Sequence, residues 1–181
     1  MYKSLIKINH MLNSIVGEEV TLVGGCVRDT LYGVTPKDYD AVICMGDSSE
    51  SYCHGMIEDI AYRFRALDFK VELYQSYGLH EGEVINPTSF QAMFYSCLKV
   101  TMKNCQVDIL LSKADTIEEH VKRHDCNMNM VWFDLESKQI KWCHDGDQPK
   151  CETLQFVPDV CNERIGRMYN KWLQLNSKSK D

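Results

Sequence analysis

The sequence has no stretch of about 18 consecutive apolar residues, which excludes an obvious membrane-spanning helix. It has no Cys-x-x-Cys pair, although it carries nine cysteines. An odd cysteine count without an export pattern predicts reduced thiols in a cytoplasmic setting, not a disulfide framework. Cys44 and Cys105 stand in apolar strand patterns and read as small core residues. There is no His-Glu-x-x-His. His120 and His124 are spaced i, i+4, but Val121, Lys122 and Arg123 separate them, so the pair reads as the solvated face of a helix and not as a zinc site. There is also no excess of positive charge, the formal net charge being −6. A chain that grips many nucleic-acid phosphates usually carries a basic stripe. The basic residues that cluster here are at the end: Arg164, Arg167, Lys171, Lys178 and Lys180. They could guide an RNA end, but a frayed, solvated tail is the simpler reading.

What is present is ordinary for a soluble globular fold: 181 residues, 44% hydrophobic and 25% charged. That length accommodates one domain with a modest second element. The start, MYKSLIKINHMLNSI, has no cleavage pattern and reads as an amphipathic helix over 3–15, with Leu5, Ile8, Leu12 and Ile15 on one face. Periodicity then predicts strand 19–24, helix 26–33, strand 39–44, helix 54–67 and strand 69–75. A loop over 76–89 leads to a hairpin of strands 91–102 and 104–111. Helix 114–123, a hairpin across 129–143 and helix 160–175 complete the order. Asp145-Gly146-Asp147 reads as a turn. Trp132, Phe133 and Trp142 read as strand core in preference to a base-stacking platform. The layout is α+β: one twisted mixed sheet with helices packed mainly on one side.

Residues 22–43, LVGGCVRDTLYGVTPKDYDAVI, are the most informative. An apolar run stops at Gly24-Gly25, a short helical pattern follows, and a turn at Thr35-Pro36 leads to Asp38-Tyr39-Asp40 at the head of a second apolar run. Glycine lets backbone N–H groups approach a ligand closely, and the start of a helix favours anions. Arg28, in the first turn, carries a planar fork suited to phosphate. Side chains alternate along a strand, so Asp38 and Asp40 share a face, about 6–7 Å apart at Cα. Carboxylates so placed suit Mg²⁺, which prefers oxygen ligands and keeps waters or phosphates in its shell. Two ions roughly 4 Å apart can stabilise both the attacking and the leaving oxygen of an in-line displacement. The whole suits transfer of a nucleotide from a triphosphate.

On these residues the chain resembles the head domain of class II CCA-adding enzymes and bacterial poly(A) polymerases, in the DNA polymerase β-like nucleotidyltransferase superfamily. The family signature stands here as Gly24, Gly25, Val27, Arg28, Asp29, Leu31, Gly33, Asp38 and Asp40. Residues 121–134, VKRHDCNMNMVWFD, resemble its ribose-recognition motif, with Arg123, Asp125 and Asn129 on matching positions. The resemblance implies that these three contact the sugar, where a carboxylate and an amide can together accept from and donate to one hydroxyl. His124, Cys126, Asn127 and Met130 depart from that motif. In the superfamily a third carboxylate arrives on a later strand. Asp108, in Gln106–Leu110, is its counterpart here, although class II enzymes tend to carry Glu.

The resemblance implies a nucleotidyltransferase-type fold with residues 1–150 as the head and 151–181 as a C-terminal helix and tail, the remnant of a neck. Residues 161–173 resemble the start of that neck, with Glu163 and Arg167 at a family spacing, but the base-selecting Glu-Asp-x-x-Arg pattern is not found. It implies transfer of a nucleoside monophosphate to an acceptor hydroxyl, expected to be a tRNA-like 3′ end, with catalytic and metal residues Asp38, Asp40 and Asp108 holding two Mg²⁺ ions. Gly24, Gly25, Arg28, Arg123, Asp125 and Asn129 would hold the ribonucleoside triphosphate. A protein or small-molecule acceptor, an inactive nucleotide-binding protein, and a partner subunit supplying the missing helices remain open.

Overall fold

The computed structural model describes residues 2–74 and 89–177. The chain opens with α1 (Lys3–Val16), β1 (Thr21–Val23), α2 (Gly25–Leu31) and β2 (Asp38–Cys44). Then come α3 (Glu50–Ala66), β3 (Lys70–Tyr74), a 3-10 turn (Phe90–Met93), β4 (Phe94–Thr101) and β5 (Gln106–Ser112). It closes with α4 (Ile117–Lys122), a second 3-10 turn (Asn127–Asn129), β6 (Val131–Asp134), β7 (Gln139–Trp142) and α5 (Asn162–Ser177).

Local chemistry sets the boundaries. Helix α1 ends at Gly17, whose φ of 78° is left-handed and whose N–H donates to the Asn13 carbonyl. Helix α3 starts where the Ser49 hydroxyl accepts from the Tyr52 N–H, and α4 where the Thr116 hydroxyl accepts from that of Glu119.

The strands form one mixed sheet in the order β3-β4-β5-β2-β1-β6-β7. Among the described strands, β2 and β5 are parallel and the other neighbours antiparallel. One face of the central strands (Tyr39, Ala41, Ile43, Val107, Ile109, Leu111) is buried with Leu5 and Leu12 of α1 and with Ile57, Ile60 and Phe64 of α3. On the other face Val23, Val42, Cys97 and Leu110 are covered by Met93, Phe94 and Val121. A third cluster docks α5 through Met168 and Trp172 onto Cys126, Met128 and Cys151. No described helix is long and apolar enough to cross a membrane.

The α+β architecture agrees with the sequence reading, and two details differ. Residues 90–93 are a 3-10 turn and not the start of a strand. Phe90 there packs edge-on to Phe94 and His124, with ring centroids 5.2 and 5.8 Å apart. The expected loop over 76–89 lies outside the described residues but for Ser89. His120 and His124 are not on a solvated face: both are buried, their rings 5.3 Å apart, with Phe94 5.6 Å from His120. Their i, i+4 spacing was read as polar because histidine is usually so, whereas here His120 lies on the inward face of α4 and His124 is buried just past its end. All nine cysteines are free thiols.

Truncating Phe64, which is fully buried, leaves a cavity between α3 and the sheet. Phe64→Ala should cost about 3–5 kcal/mol in urea-monitored unfolding, a large part of an ordinary domain's stability.

Candidate active site

The acids come together through register. On β2, Asp38, Asp40 and Val42 point to one face while Tyr39, Ala41 and Ile43 enter the main core. In the parallel pairing Asp40 lies opposite Asp108 and Asp38 opposite Gln106. Asp108 is buried, on a strand with neighbours on both sides, and is not an edge-strand acid facing water. Burial, then the charges of Asp108 and Asp38, push the Asp40 carboxyl up to about 7. Burial also raises Asp108, against the Lys99 charge and a hydrogen bond from Gln106. Burial is the leading cause in both cases, and neighbouring like charge adds to it. Among the described residues no three His, Cys, Asp or Glu side chains close around one ion position. Asp38 is exposed, Asp40 half-buried and Asp108 buried, and their carboxylate oxygens are the donor type that a hard cation such as Mg²⁺ takes.

The glycine turn lies alongside. Val23 pairs with Asp40, so Gly24 leaves β1 next to the acids. Gly24 adopts φ 64°, ψ −126°; its N–H donates to the Val131 carbonyl and its own carbonyl accepts from the Arg28 N–H, each at 2.9 Å. A Cβ there would meet His124 Cε1 at 3.0 Å, so both backbone conformation and space require glycine. At Gly25 the nearest atom would be Arg28 Nη2 at 3.6 Å, an ordinary contact.

Three of the predicted nucleotide residues, Arg28, Asp125 and Asn129, are joined in one polar network. Arg28 is buried; its Nε donates to Asp29 at 2.8 Å and its Nη1 to the Asn129 side-chain oxygen at 2.6 Å. Asn129 Nδ2 donates to Asp125 at 2.7 Å, and Arg164 Nε donates to the other Asp125 oxygen. Burial opposes the Asp125 charge, but the bonds from Asn129 and Arg164 outweigh it and hold its carboxyl below the usual range. Lys171 closes the far end on Asp29 at 3.0 Å. Arg123 stands apart from this network: its guanidinium pairs with Glu119, one turn back on α4, at 2.9 Å.

Five contributors were missed in the sequence. Arg164 and Lys171, read as a solvated basic run, sit on α5 and bond Asp125 and Asp29, seven residues apart and so on one helix face. Lys178 and Lys180 lie outside the described residues. His124 Nδ1 donates to the Asn129 carbonyl at 2.8 Å, and its ring fills the space beneath Gly24. Burial pushes the neighbouring His120 imidazole down to about 3, so it is neutral where it meets the Ser112 hydroxyl at 2.8 Å. Lys99 lies opposite Asp108, and alternation along its strand was the only signal for it.

Residues 20–149 match the family model described as the poly A polymerase head domain. The chain therefore belongs to the poly A polymerase head domain family. Two curated relatives are each named CCA-adding enzyme, from Francisella tularensis subsp. tularensis and from Francisella tularensis subsp. novicida. Each is 30% identical over 119 residues, or 66% of this chain. The match spans only 29% and 28% of their respective lengths. A solved structure titled "The complex structure of CCA-adding enzyme with ATP" is 22% identical, with TM-score 0.47, over 76% of this chain and 28% of that one.

The Asp40 shift has a testable sign. A carboxyl raised from 3.8 to about 7 on folding binds its proton more tightly in the native state, so stability present below pH 3.8 is lost as pH rises toward 7. In EDTA the melting temperature should therefore fall between pH 5 and pH 8. Asp40→Asn should flatten that fall and melt a few degrees higher at pH 8. Added Mg²⁺ should raise the pH 8 value for the wild type and not for the variant.

Proposed function

We propose that this chain is the catalytic head of a nucleotidyltransferase, which moves a nucleoside monophosphate from a ribonucleoside triphosphate to an acceptor hydroxyl and releases pyrophosphate. The observation that carries the reading is the placement of Asp40 opposite Asp108 with the Gly24 turn on the next strand. Because the curated relatives are CCA-adding enzymes, the acceptor we favour is a tRNA-like RNA 3′ end. The same reading takes residues 1–150 as the head and 151–181 as the start of a neck.

Asp38, Asp40 and Asp108 are the residues that would hold divalent cations, in our reading two Mg²⁺ ions. When bound, these supply positive charge at the phosphoryl oxygens and at the departing pyrophosphate. The chain's own groups divide the remaining work. The Gly24–Gly25 backbone, bare of side chains, lets the polyphosphate approach. Arg28, fixed by Asp29 and Asn129, contributes a positive charge on that side. Asp125 and Asn129 would serve the ribose hydroxyls as acceptor and donor only by sharing the bonds they make to each other and to Arg164. Arg123 keeps a ribose role only by leaving Glu119. The acceptor oxygen forms its bond to the α-phosphorus, the bond from that phosphorus to the bridging oxygen breaks with its electron pair, and the hydroxyl proton passes to the Asp108 carboxylate.

The test is a gel of mixed cellular RNA incubated with protein, Mg²⁺ and one labelled ribonucleoside triphosphate at a time. The wild type should incorporate label, and Asp40→Asn and Asp108→Asn should each lose at least about a hundredfold in rate with unchanged circular dichroism. Full activity in Asp40→Asn would remove the mechanism.

A further inference from the structure

The acid row is flanked by a cation on each side, and the one beyond Asp108 bears on which acceptor the site takes. Reading across the sheet at one level, the residues are Glu72, Lys99, Asp108, Asp40 and Val23, each the register partner of the next. Partners in register project to the same face. Beyond Asp40 lies the Gly24 turn with Arg28. Beyond Asp108 lies Lys99, its ammonium 5.8 Å from the centre of the Tyr74 ring. Glu72, next in the row, is already engaged: Lys70 Nζ lies 3.2 Å from it, and the Tyr74 hydroxyl donates to it at 2.6 Å. Lys99 has no ion pair within 4 Å among the described residues. It is a half-buried cation next to an aromatic face, one strand from the proposed proton acceptor.

In-line displacement puts the attacking and leaving oxygens on opposite sides of the phosphorus. With pyrophosphate leaving toward Gly24 and Arg28, the attacking hydroxyl must come from the Asp108 side, where Lys99 and Tyr74 stand. We infer that Lys99, supported by Tyr74, binds the last phosphodiester of a polynucleotide acceptor and so selects a nucleic-acid 3′ end over a lone hydroxyl. This rests on the nucleotidyl-transfer reading above and adds to it the residue that recognises the acceptor. A serine hydroxyl or a small alcohol carries no neighbouring phosphate for that ammonium. A polynucleotide carries one immediately behind its terminal sugar, and its terminal base has a π-face to set against Tyr74.

The test uses the full chain and a fluorescein-labelled 12-nucleotide single-stranded RNA with a free 3′ hydroxyl, followed by anisotropy from 50 to 200 mM KCl. Lys99→Met keeps the aliphatic stem on the Tyr74 ring and removes the charge. It should weaken RNA binding roughly five- to tenfold at the lowest salt and reduce the salt slope by about 0.7, one single-strand phosphate contact. Mg–ATP affinity should stay within about twofold, as a residue on the acceptor side predicts. Lys7→Met, an exposed charge on α1 across the sheet, should leave RNA binding unchanged. Unaltered RNA binding by Lys99→Met beside intact Mg–ATP binding overturns this inference alone. Equal loss of RNA and Mg–ATP affinity also overturns it, since Lys99 would then act by holding Asp108. A wild type that binds Mg–ATP but no RNA removes the polynucleotide acceptor. One that does not bind Mg–ATP removes the nucleotidyl-transfer reading as well.

Discussion

Two carboxylates that repel each other are held side by side by the backbone of a parallel strand pair, and much of the molecule answers to that arrangement. The β2–β5 ladder runs from Asp38 opposite Gln106 to Cys44 opposite Ser112, so Asp40 cannot move away from Asp108 without breaking the middle of the sheet. The opposing force is hydrophobic. The residues alternating with the acids, Tyr39, Ala41, Val107 and Ile109, are buried against α1 and α3, and a one-residue slip would send them into water. The apolar face of the strands thus holds the acids together on the other. That is how a fold stores electrostatic tension that a cation would relieve.

A second constraint links the glycine turn to the residues of the sugar motif. Gly24 can take its left-handed conformation because it has no Cβ, and His124 occupies the volume a Cβ would need. The same imidazole donates to the Asn129 carbonyl, while the Asn129 side chain bridges Arg28 and Asp125. Segments a hundred residues apart in the chain are thus fixed to one another by short polar contacts around one buried ring. His120 behind it keeps an Nε2 with no hydrogen-bond partner among the described residues, which burial makes tolerable only because that ring is neutral.

Most of the sheet and the acid pair was legible because strand alternation and a Gly-Gly stop are local signals. Asp38 and Asp40 could be placed on one face from spacing alone, and Asp108 became their neighbour once β5 lay parallel to β2. What was not legible is what depends on distant packing. His124 looked solvated because nothing in its own neighbourhood says that Phe90 and Gly24 will close over it. Arg123 matched a motif position, yet on the helix Glu119 lies one turn away and takes its charge. Arg164 and Lys171 looked like a loose basic end because their partners, Asp125 and Asp29, lie far upstream. Lys99 hid in an apolar strand for the same reason: only pairing tells which residue it faces.

The docking of α5 bears on what counts as a self-sufficient piece of this protein. The family match ends at residue 149, but Asp125 and Asp29 find their cationic partners at positions 164 and 171. A polypeptide cut at the family boundary would leave Asp125 without its Arg164 counter-charge and Asp29 with Arg28 alone. It would also strip Met168 and Trp172 from Cys126 and Met128. The stretch that keeps these contacts is therefore longer than the segment by which the family is recognised.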